Sequence, residues 1–158
     1  MSVIAHIGIG ANLGDARASV EQAIGQLAGL AGSQLLGRSS LYRSAPIDAA
    51  GDDYVNAVAA VATTLAPLEL LHALQEIELQ HGRLRPYRNA PRTLDMDLLL
   101  YGDQCLHGDE LTVPHPRMAQ RAFVLVPLLE LAPAIVIPGG GAAQRLLAGV
   151  SDQVITRI

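Results

Sequence analysis

Apolar and polar residues follow two repeating patterns in the first two-thirds of the chain. Short apolar runs, bounded by glycine, proline or polar clusters, predict four strands at 3–9, 34–43, 54–64 and 93–101. Apolar residues at helical spacing predict two helices, at 16–30 and at 68–81 directly after Pro67. The predicted order of elements is therefore β-α-β-β-α-β.

Prolines divide the last third of the chain into short pieces. We expect short helices near 116–122 and 127–131, and a last helix at about 142–149 after three consecutive glycines. The order β-α-β-β-α-β is typical of a ferredoxin-like α+β fold, with both helices on one face of the sheet. Extra C-terminal helices and short strands would cover the other face, giving α/β/α layers in one domain over residues 1–158.

Composition limits the kinds of function that the chain can have. Half of the 158 residues are apolar and the net charge is −4, which excludes wholesale disorder and argues against a nucleic-acid partner. No apolar run approaches the roughly 20 residues needed to cross a bilayer, and the first residues do not resemble a signal peptide. We therefore expect a cytoplasmic, monomeric protein with no nucleic-acid or membrane partner.

Two residue types are scarce enough to exclude whole classes of chemistry. All eleven basic residues are arginines, which excludes a Schiff-base lysine, a P-loop lysine and the ATP-binding lysine of protein kinases. Cys105 is the single cysteine, which excludes an internal disulfide and a multi-cysteine zinc site. Any anion site must use arginine side chains or backbone N–H groups.

The densest charge cluster lies between the second helix and the fourth strand. Arg83, Arg85, Arg88 and Arg92 fall within ten residues, and no acidic residue interrupts them. A cationic run repels itself unless an anion binds to it. For the arginines alone, a solvated surface loop is the simpler interpretation.

Two aspartates directly after this run favour a ligand site. Asp95 and Asp97 alternate with Met96, Leu98 and Leu100, so both carboxylates should lie on one face of the strand, about 7 Å apart at their Cα atoms. Burying two carboxylates is costly unless a cation neutralises them, and hard oxygen ligands suit Mg²⁺. The alternative is an edge strand with both aspartates solvated. Arginines next to a metal site suit a polyphosphate.

Weaker candidates have ordinary structural explanations as well. His115 and Arg121 are possible phosphate donors, although a lone histidine is more often bonded to backbone in the core. Gln75 and Glu78 lie one helical turn apart. This spacing is typical of a solvated helix face, and the alternative is that both residues contact a ligand sugar or base. Tyr54 and Asn56 share a strand face, and Tyr54 with Phe123 could stack on a flat ring rather than pack in the core.

The glycines at positions 8, 10 and 14 nearly match a dinucleotide-binding fingerprint. The third glycine is one residue late, and the second predicted strand ends without an acidic residue to hold a ribose. We therefore reject a Rossmann site. The glycines would instead let Asn12 approach a ligand or a neighbouring loop.

Six segments together resemble the 6-hydroxymethyl-7,8-dihydropterin pyrophosphokinase family of folate biosynthesis. They occur in the order of the family and span about residues 3–138. The segments are IGIGANLGD at 7–15, SSLYRSAPI at 39–47, DDYVNAVAAVAT at 52–63, LQEIELQHGR at 74–83, APRTLDMDLLLYG at 90–102 and LTVPHPRMAQRAFVLVPLLELAP at 111–133.

The resemblance implies a reaction and a set of site residues. The family transfers a pyrophosphoryl group from ATP to the pterin hydroxymethyl oxygen, with two Mg²⁺ ions, and releases AMP. The implied metal ligands and catalytic groups are Asp95, Asp97, Arg83 and Arg92. The implied ATP contacts are Gln75, Glu78, Arg83, Arg92, Thr112, His115 and Arg121. The implied pterin contacts are the backbone of Ser44, Ala45 and Ile47 and the side chains of Tyr54, Asn56, Asp95 and Phe123.

Two other functions stay open. A Mg²⁺-dependent phosphohydrolase would use Asp95 as the nucleophile and water as the acceptor, and it would hydrolyse ATP without a pterin. A catalytically inactive pterin- or nucleotide-binding module would bind its ligand without producing AMP.

Overall fold

The computed structural model describes residues 2–45, 53–81 and 94–158. The strands in these ranges are β1 Val3–Ala11, β2 Ser33–Arg38, β3 Tyr42–Ser44, β4 Tyr54–Thr63, β5 Asp95–Tyr101, β6 Leu106–His107, β7 Thr112–Val113, β8 Val136–Ile137, β9 Gly141–Ala142 and β10 Ile155–Arg157. The α-helices are α1 Ala16–Ala28, α2 Pro67–Gln80, α3 Ala122–Leu131 and α4 Ala143–Leu146.

The central sheet is antiparallel and has the strand order β10-β3-β4-β1-β5. Strand β2 pairs with the second half of β4, and β3 pairs with its first half, so both lie along the same edge of β4. Strands β6 and β7 form a separate small hairpin, as do β8 and β9. This arrangement confirms the predicted α+β, ferredoxin-like class.

Apolar side chains fill both faces of the sheet. Helices α1 and α2 cover one face through residues such as Leu27, Leu70 and Leu74, which are fully buried. Helices α3 and α4 cover the other face, where Leu125 and Leu128 are fully buried. Burying one such side chain contributes about 1.5–3 kcal/mol. The predicted α/β/α layering is confirmed, and within the described ranges no helix is long and apolar enough to cross a membrane.

The predicted strand at 34–43 is wrong in extent, because the chain leaves the ladder between β2 and β3. The break is held by side chains: the Val58 N–H donates to Ser39 Oγ, and the Ser40 N–H donates to the Glu130 carboxylate at 3.0 Å. Glu130 lies on α3, so a partner 90 residues away sets the end of β2. The break lets β3 pair with β10 on its other side.

The C-terminal elements also differ from those predicted. The two short helices expected near 116–122 and 127–131 are a 3₁₀ turn at 118–120 and one helix, α3, which contains Pro127. Proline removes one helical hydrogen bond, but Pro127 is buried in an apolar segment whose packing outweighs that loss. The expected last helix is α4 followed by a 3₁₀ turn at 147–150. Strand β10 has too little apolar pattern to be predicted.

Strand β5 contains a β-bulge. Its register against β1 shifts between Leu98 and Leu100, so Leu99 is an extra residue. Met96 and Leu98 pack under α1 and α2, whereas Leu99 and Leu100 both pack under α3. The expectation that Leu100 shares the face of Met96 is therefore wrong, because a bulge interrupts strict alternation.

We predict that Tyr42 stabilises the fold up to about pH 10 and loses this effect at higher pH. Its hydroxyl donates to Glu130 at 2.5 Å, and burial and then this carboxylate raise the pKa of Tyr42 to about 12. The unfolded tyrosine ionises near 10.0, so ionisation favours unfolding between pH 10.0 and about 12.

The variant Tyr42→Phe should lower the free energy of unfolding by about 1–3 kcal/mol at neutral pH, because it leaves Glu130 without that donor. The difference from the native chain should shrink above pH 10.0. Urea unfolding across this pH range measures both effects. A difference that stays constant up to pH 12 would show that the Tyr42 hydroxyl carries no such role.

Candidate active site

Two glycines of β1, Gly8 and Gly10, add no side chain of their own to the α3 face of the sheet between β4 and β5. The Leu99 side chain fills the space over Gly8, and we call the strip at Gly10 the trough. Gly10 lies opposite Asn56 of β4 on one side and Asp95 of β5 on the other. Gly8 lies in the same way between Val58 and Asp97. Cross-strand partners point to the same face of a sheet. The trough therefore lies between side chains of β4 and side chains of β5, which are two strand spacings, or about 10 Å, apart.

The trough has no room for a side chain at Gly10. A Cβ atom there would lie 3.1 Å from Asn56 Nδ2 and 3.8 Å from the ring of Tyr54. Tyr54 and Asn56 therefore form the β4 wall of the trough. The sequence pattern predicts the shared strand face of these two residues but not the role of Gly10 as the floor. Glycines two residues apart in a strand share a face, and this signal could have indicated the floor.

Ser44 orients the Asn56 side chain. The Ser44 hydroxyl donates to Asn56 Oδ1 at 2.6 Å, and both residues are buried. The amide nitrogen, Nδ2, is left on the side of Gly10, where it presents a donor to the trough. The resemblance implied a backbone contact from Ser44. The structure adds a side-chain contact to the neighbouring candidate residue.

Asp95 and Asp97 both lie on the trough face of β5 and are half-buried. Asp97 Oδ2 is 3.9 Å from Arg121 Nη1 and 4.0 Å from His115 Nε2. The predicted pairing of the two carboxylates on one face is therefore confirmed in this structure. Arg121 and His115, which lie far along the chain, are brought to the same carboxylate.

The His115 ring is fixed with one nitrogen toward Asp97. Its Nδ1 accepts a hydrogen bond from the Arg117 N–H at 3.2 Å, so the neutral ring carries its proton on Nε2. Burial, and then the positive charge of Arg121, lower the pKa of His115, while Asp95 acts in the opposite direction. The ring is thus neutral near pH 7 and can donate from Nε2 to an anion.

An open cavity of about 280 Å³ lies on the outer side of β5. Its apolar lining comes from Leu71, Met96, Leu98 and Leu111, and its polar lining includes Asp97, Asp109, Glu110, Thr112 and His115. We call it the β5–β7 cavity. A cavity lined by both apolar side chains and hydrogen-bonding groups suits a flat ring that carries polar or charged substituents.

Arg121 connects Asp97 to an aromatic ring. Its guanidinium carbon lies 5.3 Å from the centre of the Phe123 ring, which is within the range of a cation–π interaction. Phe123 lies in the first turn of α3, and Arg121 is the residue just before that helix. The two residues are therefore placed on the trough face of the sheet.

Glu78 is buried, whereas one interpretation of the sequence placed it on a solvated helix face. It is 3% exposed, and its Oε2 accepts a hydrogen bond from the Met96 N–H at 2.8 Å. Gln75, one turn earlier, is half-buried. The solvated-face alternative is wrong for Glu78, because its carboxylate is buried and bonded to the Met96 amide. The sequence alone does not show that this amide needs a partner.

Other candidates lie beyond the described ranges or at their margin. Arg83, Arg92 and Ile47 lie outside the described residues, so their roles stay predictions. Ala45 follows β3 directly and is exposed. Asn12, expected to approach a ligand, has a buried Oδ1 with no hydrogen-bond partner among the described residues.

The donor set at the aspartates fits Mg²⁺. Among residues 2–45, 53–81 and 94–158, no group of three or more histidine, cysteine or acidic side chains is arranged to hold a metal. Two carboxylates without a closed ligand cage are what Mg²⁺ usually receives from a protein, with water and substrate phosphates supplying the other ligands. Zinc would need a more complete set of protein ligands.

Comparisons with known proteins agree with these features. A model of the family described as 7,8-dihydro-6-hydroxymethylpterin-pyrophosphokinase matches residues 6–133. A 2-amino-4-hydroxy-6-hydroxymethyldihydropteridine pyrophosphokinase of Pseudomonas aeruginosa is 44% identical over 154 residues, covering 97% of this chain and 95% of that protein. A protein of the same name from Haemophilus influenzae is 38% identical, covering 99% of this chain and 98% of that protein.

A solved structure shows the same fold in a longer protein. The triple mutant of Plasmodium falciparum HPPK-DHPS with pteroate has a TM-score of 0.75 and 13% sequence identity over the whole of this chain. This chain spans 47% of that protein, so the likeness concerns the fold alone. The family match and the bacterial relatives, in contrast, extend over most of both chains. This chain therefore belongs to the 7,8-dihydro-6-hydroxymethylpterin-pyrophosphokinase family of enzymes.

Proposed function

We propose that the protein transfers the β,γ-pyrophosphoryl group of ATP to the hydroxymethyl oxygen of 6-hydroxymethyl-7,8-dihydropterin. The products are the pterin diphosphate and AMP. One observation carries the proposal: the strand with Asp95 and Asp97 separates two compartments. Asp95 lies across Gly10 from Asn56 in the trough, and Asp97 lines the β5–β7 cavity.

The two compartments suit the two substrates. The trough is narrow, lacks side chains on its floor and has Tyr54 and the donor amide of Asn56 on one wall, which suits a flat ring with polar edges. The β5–β7 cavity suits a purine, with Thr112 and His115 in its polar lining. Phosphates extending from this cavity toward the trough would pass Asp97, His115 and Arg121.

Asp95 and Asp97 would hold two Mg²⁺ ions, which when bound neutralise phosphate charge and align the reacting oxygens. The protein supplies position and further positive charge. Arg121 and the Nε2 proton of His115 would donate to phosphate oxygens, and Asn56 and the two aromatic rings would orient the pterin. Arg83 and Arg92 are proposed, from the resemblance alone, to add positive charge during transfer.

The bond changes in this reaction follow from the products. The pterin oxygen forms a bond to the β-phosphorus, and the bond between that phosphorus and the α,β-bridging oxygen breaks. AMP leaves with the bridging oxygen and the electron pair of that bond, and the proton of the alcohol is released to solvent. Because phosphoryl transfer needs little covalent help from the protein, positioning and charge account for most of the expected catalysis.

The direct test mixes the protein with ATP, Mg²⁺ and the hydroxymethyl pterin and separates the nucleotide products. AMP that forms only when the pterin is present supports the proposal. ATP hydrolysis that does not need the pterin would favour the phosphohydrolase alternative. Binding of both ligands with no AMP would favour an inactive binding module.

We predict that Ser44→Ala weakens pterin use more than ATP use. Removing the hydroxyl leaves Asn56 Oδ1 without its donor and frees the amide to turn, at a cost of about 1–3 kcal/mol. The KM for the pterin should rise about tenfold, while the KM for ATP stays close to that of the native chain. Ser44→Thr, which keeps the hydroxyl, is the control. Equal effects of the alanine variant on both KM values would argue against this role.

A further inference from the structure

Glu78 is the one charged residue among the fully buried positions of the described chain. Burying a carboxylate costs several kcal/mol unless hydrogen bonds or charges compensate. Its neighbours on α2, Leu74 and Ile77, belong to the apolar core. The partners of the carboxylate therefore decide why it is buried at this position, which directs attention to what it holds.

The carboxylate holds the backbone between the two candidate metal ligands. Glu78 Oε2 accepts from the N–H of Met96 at 2.8 Å, and Met96 separates Asp95 from Asp97. In the described part of the chain β5 is the last strand of the sheet, so an amide that points away from β1 has no ladder partner there. Glu78 supplies that partner from the helix.

The Met96 contact supports the backbone that carries both aspartates. The Met96 N–H belongs to the peptide between Asp95 and Met96, so its hydrogen bond to Glu78 holds the backbone from which the Asp95 side chain projects, one residue before Asp97. Met96 and Ile77 belong to the same apolar core, so strand and helix are also joined through that core. Rigid support of this kind tunes metal sites through residues that do not touch the metal.

We propose that Glu78 is a positioning residue that fixes Asp95 and Asp97 at the spacing needed for divalent cations. This inference rests on the proposed function, in which those aspartates hold the metal. It also differs from the ATP contact that the resemblance implied for Glu78. A direct ATP contact would affect nucleotide affinity even without metal, whereas a positioning role affects the cation first.

The test measures Mn²⁺ binding by electron paramagnetic resonance, with a non-hydrolysable ATP analogue present, and needs no turnover. Glu78→Gln keeps an oxygen acceptor for the Met96 amide and should bind Mn²⁺ much as the native chain does. Glu78→Leu removes the acceptor and should weaken Mn²⁺ binding about 10- to 100-fold. Glu76→Leu, at an exposed position of the same helix, is the matched control and should change nothing.

Two further variants make each outcome informative. Glu78→Asp keeps the charge but is too short to reach the amide, so it should weaken Mn²⁺ binding even if the leucine variant fails to fold.

Asp97→Asn tests the metal site itself: if it still binds Mn²⁺ normally, the proposed metal ligands are wrong. If Asp97→Asn loses Mn²⁺ while Glu78→Asp does not, the metal site stands and the role of Glu78 is overturned. Nucleotide binding that weakens equally in EDTA would also overturn it, in favour of direct ATP contact.

Discussion

Replacing Asp97 with asparagine is expected to reduce pterin-dependent AMP formation by about 10³-fold or more, because a metal clamp on phosphates supplies several kcal/mol of transition-state stabilisation. Asparagine keeps the shape of the side chain but removes the charge that faces Arg121 and His115. The initial rate of AMP formation at saturating ATP and Mg²⁺ measures the effect.

The matched control is Asp103→Asn, the same substitution at an exposed position just after β5. It should leave the rate unchanged. Thermal unfolding of both variants separates loss of chemistry from loss of fold. An Asp97→Asn enzyme that is folded and nearly as active as the native chain would rule out Asp97 as a metal ligand.

The second large effect is expected from filling the trough. Gly10→Val places methyl groups where a Cβ alone would already lie 3.1 Å from Asn56 Nδ2. Valine is compatible with a strand, so the fold should form. The KM for the pterin should rise roughly 10- to 100-fold, because the methyl groups would push the Asn56 amide out of its place in the trough, at a cost of about 1–3 kcal/mol.

Nucleotide binding provides the contrast for this variant. The β5–β7 cavity lies on the other side of β5, so affinity for an ATP analogue should be unchanged in Gly10→Val. Gly37→Val is the control, because a Cβ there meets only Leu131 at an ordinary 3.5 Å. If Gly10→Val and Gly37→Val have the same pterin KM, the trough is not the pterin site.

Elements whose packing is local to one segment could be predicted from the sequence. The helical spacing of Leu70, Leu74 and Ile77 predicts α2, and Glu69 in the first turn of that helix accepts a hydrogen bond from the Ala66 N–H. At the start of α1, Asp15 accepts a hydrogen bond from the Ala18 N–H. The alternation around Asp95 predicts its shared face with Asp97 because a strand has period two. These patterns do not depend on a distant partner.

Features decided by distant partners could not be predicted. The end of β2 depends on Glu130 of α3, and the bulge at Leu99 depends on how β5 pairs with β1. The burial of Glu78 depends on the Met96 amide, from which it accepts a hydrogen bond because β5 is the last strand of the sheet in the described part of the chain. The Ser44–Asn56 contact likewise joins two strands, and nothing in either segment alone specifies it.

Crystals grown with Mn²⁺, a non-hydrolysable ATP analogue and the pterin allow the cation to be located by its anomalous scattering. If Asp95 and Asp97 are the metal ligands, anomalous peaks will lie beside both carboxylates and next to the phosphates. Anomalous peaks elsewhere, in a crystal whose nucleotide is fully bound and whose two carboxylates contact no cation, would contradict the assignment.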